Sequence, residues 1–302
     1  MVAAGAILWG TIGLFFKAGL AYGLTPLGLA FMRSALTFGL LALGLALWRP
    51  TLLRIRPRDL PYFALFGGVS VALFYWVYIV AVDLTTVATA AVLLYTAPAW
   101  VTLLAWRLYG EPLHRRQLLA LGLAFLGCVL VARAYDPAQL RVNWVGLLAG
   151  LGAGFTYAMY SVLGVPVLRR YPPTTVVVWA VLFGALLLAP FVMLGGLAQL
   201  APVAAPSALW LWLLGLAAIP TVGALLLYTS GLKRVPAGVA SVTATLEPVV
   251  ATLLAVLVLK ESFAPWQMVG GALILGGILL LAWQPRRQRR TQRRKGATPP
   301  TD

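Results

Sequence analysis

A carboxyl group and a proline stand side by side in the middle of a long apolar stretch. Glu247 and Pro248 lie near the centre of Pro236–Lys260, PAGVASVTATLEPVVATLLAVLVLK. Such a stretch can cross a bilayer, which takes about 20 apolar residues. An ionisable group at that depth is costly and commonly marks the path of an ion or a substrate. Pro248 removes a backbone hydrogen bond, and lipid cannot satisfy the carbonyl group that it frees. The pattern therefore predicts a kinked helix that forms one wall of a substrate path.

Two roles are open for Glu247. Its carboxyl could exchange a proton in each cycle and couple transport to a proton gradient, or it could only brace the kinked helix. A proton relay usually has more than one titratable member within the membrane. This favours the bracing role, under which transport is independent of the gradient and Gln is tolerated at position 247.

The composition excludes several classes of protein. The chain is 62% hydrophobic with a mean hydropathy of +0.93, which indicates a membrane protein. One cysteine and one histidine are too few for a disulfide framework or for a metal site made of these residues. No second acid or histidine accompanies Glu247 at depth, so we predict neither an enzyme nor a cofactor or metal. The net charge of +16 fits membrane orientation better than nucleic-acid binding.

Ten apolar segments follow one another with short connections, and we number them helix one to helix ten. Their approximate ranges are 3–22, 27–48, 61–83, 86–106, 114–134, 142–164, 174–196, 207–231, 236–260 and 265–283. The predicted fold is an all-α membrane protein with ten transmembrane helices. Residues 285–302, a basic run with a Thr/Pro end, are predicted to form a disordered cytoplasmic tail.

The distribution of basic residues predicts the orientation. With the N-terminus in the cytoplasm, most of the 23 Lys and Arg residues fall in cytoplasmic loops or in the tail. This asymmetry places both termini in the cytoplasm. Lys17 and Arg33 lie inside spans instead, where their long stems could reach the membrane surface. Alternatively, Lys17 reaches towards Glu247 or binds a carboxylate of the substrate.

The chain repeats itself at an offset of 150 residues. Tyr78 matches Tyr228, Pro98 matches Pro248, Thr102 matches Thr252, Glu111 matches Glu261 and Gln117 matches Gln267. We therefore divide the chain into a first repeat, 1–135, and a second, 136–284. Each holds five spans, so the second is inverted relative to the first. Inverted repeats are typical of transporters that bind substrate near the midplane, between the halves.

The repeat indicates which side chains line that site. Polar and aromatic residues at mid-depth on helices one, three, four, six, eight and nine are the candidates, because they lie too deep for an interface belt. The predicted substrate-binding residues are Trp9, Lys17, Phe74, Tyr78, Tyr95, Tyr157, Tyr228, Thr245 and Glu247. The predicted hinges are Pro98, Pro220 and Pro248.

Two further features concern packing. Glu111 and Glu261 end helices four and nine, and we expect each to cap the start of the helix that follows it. Gly146, Gly150 and Gly154 give helix six a small-residue face. We expect that face to pack within a monomer rather than between two copies.

The chain resembles the EamA-type branch of the drug/metabolite transporter superfamily over nearly its whole length. The resemblance rests on the double repeat, on Trp9-Gly10-Thr11 in helix one, and on TAPAWVTLLAWRLYGE matched with LEPVVATLLAVLVLKE. Within that branch it is most similar to the YddG-like bacterial exporters of amino acids. The resemblance implies a central cavity, export from the cytoplasm across the inner membrane, and no ATP hydrolysis. Ala97 stands opposite Glu247, so the two halves are expected to play unequal roles.

The sequence thus favours a secondary exporter of small metabolites, foremost amino acids including aromatic ones, that works by alternating access. Its expected partners are a small-molecule substrate and the lipid bilayer. The alternative is an exchanger of phosphorylated metabolites or nucleotide sugars, which would need several cations in the cavity. A membrane enzyme would need a cluster of Asp, His or Cys, and a receptor would not need inverted halves.

Overall fold

The structure is a computed structural model. It describes residues 1–137, 140, 143–196, 200, 204, 207–260, 262 and 264–283. Every long regular element within these ranges is a helix, which confirms the predicted all-α fold. The predicted tail, 285–302, and Glu261 lie outside the described residues.

The first half contains helices one to five, three of them interrupted. Their bounds are Val2–Trp9 and Ile12–Ala21 for helix one, Pro26–Trp48 for helix two, Leu60–Gly67, Gly68–Leu73 and Phe74–Leu84 for helix three, Val87–Leu94 and Ala97–Tyr109 for helix four, and Arg115–Val131 for helix five. Two short 3₁₀ turns, Pro50–Leu53 and Pro57–Asp59, connect helices two and three.

The second half contains helices six to ten. Their bounds are Trp144–Leu168 for helix six, Pro173–Leu194 for helix seven, Ser207–Ala217, Ala218–Gly223 and Ala224–Leu232 for helix eight, Ala237–Ala244 and Leu246–Leu259 for helix nine, and Pro265–Ala282 for helix ten. Within the described ranges, nine helices are long and apolar enough to cross a membrane. The remaining one, helix five, has 17 residues and packs along helix ten.

Several helices begin where the sequence supplies a cap. The Thr25 side chain accepts a hydrogen bond from the Gly28 amide, and Thr86 and Asn143 do the same at the starts of helices four and six. Such side chains satisfy backbone donors that the first turn of a helix leaves unpaired. These caps set where the spans begin, and so set the depth of the residues within them.

Helices one, four and nine each break in the middle, and a threonine stands at each break. The hydroxyl groups of Thr11, Thr96 and Thr245 donate to the carbonyl oxygens three residues earlier, at 2.7, 2.6 and 2.7 Å. Pro98 and Pro248 follow the breaks in helices four and nine and supply no amide donor there. Each of these carbonyl oxygens also accepts from the amide of the same threonine, so amide and hydroxyl together close the last turn before the break.

Helices three and eight are widened by a turn of π-helix at equivalent positions. The widened segments, Gly68–Leu73 and Ala218–Gly223, are offset by the same 150 residues as the sequence repeat. Pro220 lies within the second segment. Wide turns of this kind commonly mark functional sites, because they redirect side chains.

Glycines bring the helices into close contact. A side chain at Gly127 would lie 2.6 Å from the Gly270 carbonyl oxygen, so helices five and ten touch there. Gly150 and Gly154 of helix six lie in the same way against Leu93 of helix four. The small-residue face of helix six is thus buried within the chain, as expected.

The prediction that Glu111 caps helix five is wrong, because Glu111 caps helix nine instead. Its carboxylate accepts from the amides of Ala237 and Gly238, at 2.8 and 3.4 Å, and so caps the start of helix nine. Helix five, which follows Glu111, begins at Arg115 without a side-chain cap. The end of helix four and the start of helix nine meet in space, and a negative charge is favourable at either helix start. The contact ties the two halves together.

Candidate functional site

A cavity of about 740 Å³ lies between the two halves. Its volume is in the range usual for small-molecule sites. Residues from helices one, two, three, four, six, seven, eight and nine line it. Seven of the nine predicted substrate-binding residues are among them: Trp9, Lys17, Phe74, Tyr78, Tyr157, Tyr228 and Glu247.

Five of these residues form an aromatic wall. Trp9 lies 4.9 Å from Tyr228 and 6.4 Å from Tyr157, measured between ring centres. Phe74 lies 5.3 Å from Tyr157 and stacks on Tyr78 at 5.9 Å. Tyr228 is held by a 2.6 Å hydrogen bond between its hydroxyl and that of Ser161. These packed rings present a rigid surface suited to a flat or apolar ligand.

The break in helix nine places Glu247 beside the cavity. Glu247 lies in the first turn of Leu246–Leu259, where the helix dipole favours a negative charge. The break in helix one packs against it, because a side chain at Gly10 would lie 3.0 Å from the Glu247 carbonyl oxygen. Only glycine permits this approach.

A cation that the sequence left without a role also lines the cavity. Arg33 is buried, with 7% of its surface exposed, so its side chain does not reach the membrane surface. Its Nε donates to the Thr221 hydroxyl at 2.7 Å, and its guanidinium lies over the Tyr75 ring at 5.7 Å. Arg33 and Glu247 line the same cavity. The only sequence signal for this residue was an arginine inside an apolar span.

The other two charged residues lie at one end of the cavity. Lys17 is exposed in the second segment of helix one, and Asp83 is exposed near the end of helix three. The same end is lined by Pro26, at the start of helix two, and Leu259, at the end of helix nine. These helix ends all lie opposite the N-terminus, so the cavity opens on that side.

The end near the N-terminus is closed. The hydroxyl groups of Tyr62 and Tyr109 donate to the carbonyl oxygens of Leu163 and Val162, at 2.8 and 2.5 Å. Phe63 and Phe66 are fully buried at the same end.

Loop contacts reinforce the closed end. Buried Asp59 accepts from the Tyr171 hydroxyl at 2.5 Å and pairs with Arg170 at 3.2 Å. Together with the tyrosine hydrogen bonds, these contacts fix helices three and four of the first half to helices six and seven of the second. The structure holds one conformation, closed near the N-terminus and open at the far side.

Two predicted site residues lie elsewhere. Thr245 is 2% exposed, and its hydroxyl donates to the Val242 carbonyl oxygen within helix nine. Tyr95 packs against a core of Cys128, Val131 and Ile274. Neither lines the cavity, and Tyr95 is packed against helices five and ten instead. Of the predicted hinges, Pro98 and Pro248 follow helix breaks and Pro220 lies in a π segment.

Known proteins resemble this chain in sequence. The EamA-like transporter family matches residues 1–133 and again residues 144–283. An uncharacterized transporter of Archaeoglobus fulgidus is 32% identical over 283 residues, which cover 92% of this chain and 93% of that protein. A probable terminal-alkyne amino-acid exporter of Streptantibioticus cattleyicolor is 30% identical, covering 82% of this chain and 80% of that protein.

The fold is also found in a solved crystal structure. That chain is 24% identical and superposes with a TM-score of 0.77, covering 95% of this chain and 97% of its own length. At this identity the likeness concerns the fold alone. The family match extends over both halves, and the relatives named above are transporters. The chain therefore belongs to the EamA-like transporter family and is a multi-pass membrane transporter.

Proposed function

We propose that this transporter exports small metabolites, foremost amino acids including aromatic ones, by alternating access through the cavity between its halves. The observation that carries the proposal is the chemistry of the cavity walls. A buried cation, Arg33, and a carboxylate, Glu247, line the same space as the aromatic wall. An amino acid carries one negative and one positive group, and its side chain can pack on aromatic rings.

A relative supports the substrate class. The Streptantibioticus cattleyicolor protein is named a probable terminal-alkyne amino-acid exporter. The amino-acid part of that name fits the charged groups of the cavity, and we carry only this part over to the present chain.

The charge balance of the cavity argues against phosphorylated metabolites or nucleotide sugars. Two cations, Lys17 and Arg33, and two acids, Asp83 and Glu247, are among its described lining residues. A phosphate group needs an excess of positive charge to replace its water. A net-neutral ligand fits this balanced lining better.

The membrane and the direction of transport belong to the same proposal. We place the protein in the bacterial inner membrane with both termini cytoplasmic, on the basis of its Lys and Arg distribution. The cavity, which opens opposite the N-terminus, then faces the outside. Release of substrate to the outside is the step for which this conformation is suited.

Counterflow in proteoliposomes tests the proposal. Purified protein is reconstituted into vesicles preloaded with one compound, and uptake of a trace of the labelled compound is followed. We expect phenylalanine and other large neutral amino acids to show counterflow at least tenfold above empty vesicles, and glucose 6-phosphate to show none. Counterflow with the sugar phosphate and none with any amino acid would reject the proposed substrate class.

A further inference from the structure

We propose that Arg33, on helix two, binds the carboxylate of the substrate, while Glu247, on helix nine, receives its ammonium group. The inference rests on the proposed amino-acid transport and assigns its specificity to named residues. Lys17, the other cation on the cavity wall, has a different place: it is exposed and lies near the open end.

The two contacts that fix the Arg33 side chain are with uncharged groups. Its Nε donates to Thr221, whose hydroxyl donates in turn to the Leu216 carbonyl oxygen at 2.7 Å. The face of its guanidinium lies over Tyr75. These contacts hold the cation in place without neutralising its charge. Among the described residues, no acid forms an ion pair with Arg33. A buried charge without such a partner is costly, so the site favours an anionic ligand.

The geometry of arginine determines how that ligand binds. Arg33 lines the cavity, and because its Nε is bound to Thr221, the two terminal nitrogens remain to donate to a ligand. These nitrogens match the two oxygens of a carboxylate, and such paired contacts are stronger and more directional than a contact to lysine. Thr221 lies in the π segment of helix eight, which brings its hydroxyl to Arg33.

Glu247 supplies the complementary charge. It lines the same cavity as Arg33, from helix nine. A zwitterionic amino acid pairs with both groups and leaves neither charge uncompensated. An amine without a carboxylate leaves Arg33 without a partner, and an acid without an ammonium group leaves Glu247 without one. The site therefore selects amino acids over their amides and over N-acylated forms.

Competition with matched ligands tests this assignment. Counterflow of labelled phenylalanine is measured against unlabelled phenylalanine, phenylalaninamide, which lacks the carboxylate, and N-acetylphenylalanine, which lacks the ammonium group. Binding is followed in parallel as a shift of the melting temperature of the detergent-purified protein, so that a variant without transport still gives a result. We expect the parent to prefer phenylalanine to its amide by roughly tenfold to a hundredfold, the usual effect of one hydrogen bond to a charged group.

The variants then locate the preference. Arg33→Gln should reduce phenylalanine binding by a similar factor and bring the preference over the amide close to one, while Arg33→Lys should retain part of it. Thr221→Val keeps the cation but removes the hydrogen bond that orients it, so it should weaken binding by a smaller factor. In Lys17→Gln the preference over the amide should persist.

Two results would overturn the assignment. One is a preference that survives in Arg33→Gln, and the other is a preference lost in Lys17→Gln instead, which would place the carboxylate at the mouth of the cavity. Either leaves the proposed amino-acid transport intact. A parent that neither binds nor transports any amino acid rejects both proposals together.

Discussion

At the scale of single residues, two charged side chains of the cavity, Arg33 and Glu247, meet places where the backbone departs from a regular α-helix. Glu247 follows the break in helix nine, and Arg33 reaches Thr221 in a π segment. An ordinary α-helix has no free backbone groups at mid-depth with which to stabilise a charge. Breaks and wide turns provide polar groups there, so the charges and the irregular helices belong to one arrangement.

Glu247 gives a prediction at this scale. If Glu247 receives the ammonium group of the substrate, Glu247→Gln, which keeps the shape of the side chain but removes its charge, should lower phenylalanine counterflow about tenfold or more, because a hydrogen bond to a charged group is lost. A residue that only braced the kinked helix would tolerate Gln at an unchanged rate. Glu247→Asp should retain more activity than Gln. Initial rates with and without an imposed pH gradient complete the test. We expect the parent to be indifferent to the gradient, and uphill transport driven by it would show that a proton is exchanged.

At the scale of helices, the two halves are built alike but packed differently. The second segment of helix four, Ala97–Tyr109, buries Ala97, Pro98, Val101, Thr102 and Ala105. In its counterpart in helix nine, Leu246–Leu259, Pro248 alone is buried. The helix four segment closes one end of the cavity, and the helix nine segment borders the open end. In alternating access, the helix nine segment should pack when the outer end closes.

The repeat predicts a particular contact for that state. Thr102 contacts Gly238 at the closed end, since its hydroxyl lies 3.1 Å from where a Gly238 side chain would begin. The equivalent pair, 150 residues away in the repeat, is Thr252 and Ala88. Cysteines at 88 and 252, with Cys128 replaced by Ala, should form a disulfide on oxidation, because closure brings the two positions within bonding range. Counterflow should fall about fivefold or more and recover with reductant, since alternating access needs both states.

A matched pair controls for chance collisions. Leu253, next to Thr252, is 49% exposed and does not line the cavity. Cysteines at 88 and 253 should stay reduced under the same oxidant, and counterflow should persist. Equal cross-linking of both pairs would show that the segments collide at random, and no cross-link at 88 and 252 during turnover would reject the proposed closure.

At the scale of the whole molecule, the inversion of the halves determines the orientation of every loop. Reporter fusions after Asp302 and between residues 198 and 205, which join helices seven and eight, should read cytoplasmic and external respectively. An odd number of spans separates the two points, so they must lie on opposite sides. Reporters on the same side would remove the basis for inverted halves. External readings after Asp302 would reverse the proposed direction of the cavity.

The sequence by itself determined the spans, the repeat and much of the cavity wall. Length and hydropathy decide which segments are long and apolar enough to cross a membrane. The matched Tyr, Pro and Thr landmarks predict equivalent elements, and the π segments and the breaks in helices four and nine lie at matched positions. Glu247 could be identified because a carboxyl group stands out in an apolar stretch. These signals are local, since each depends on neighbours along the chain or on a fixed offset.

Only the tertiary structure decided which partner each polar side chain has. Arg33 bonds to a residue 188 positions away, and Glu111 caps a helix 126 positions away. Tyr95 packs against helices five and ten and Thr245 bonds within helix nine, so neither lines the cavity. The direction of a side chain beside a helix break depends on how the two segments are rotated, and packing against other helices fixes that rotation. A residue's place in the sequence gives its depth in the membrane, but its neighbours across the fold decide whether it meets substrate.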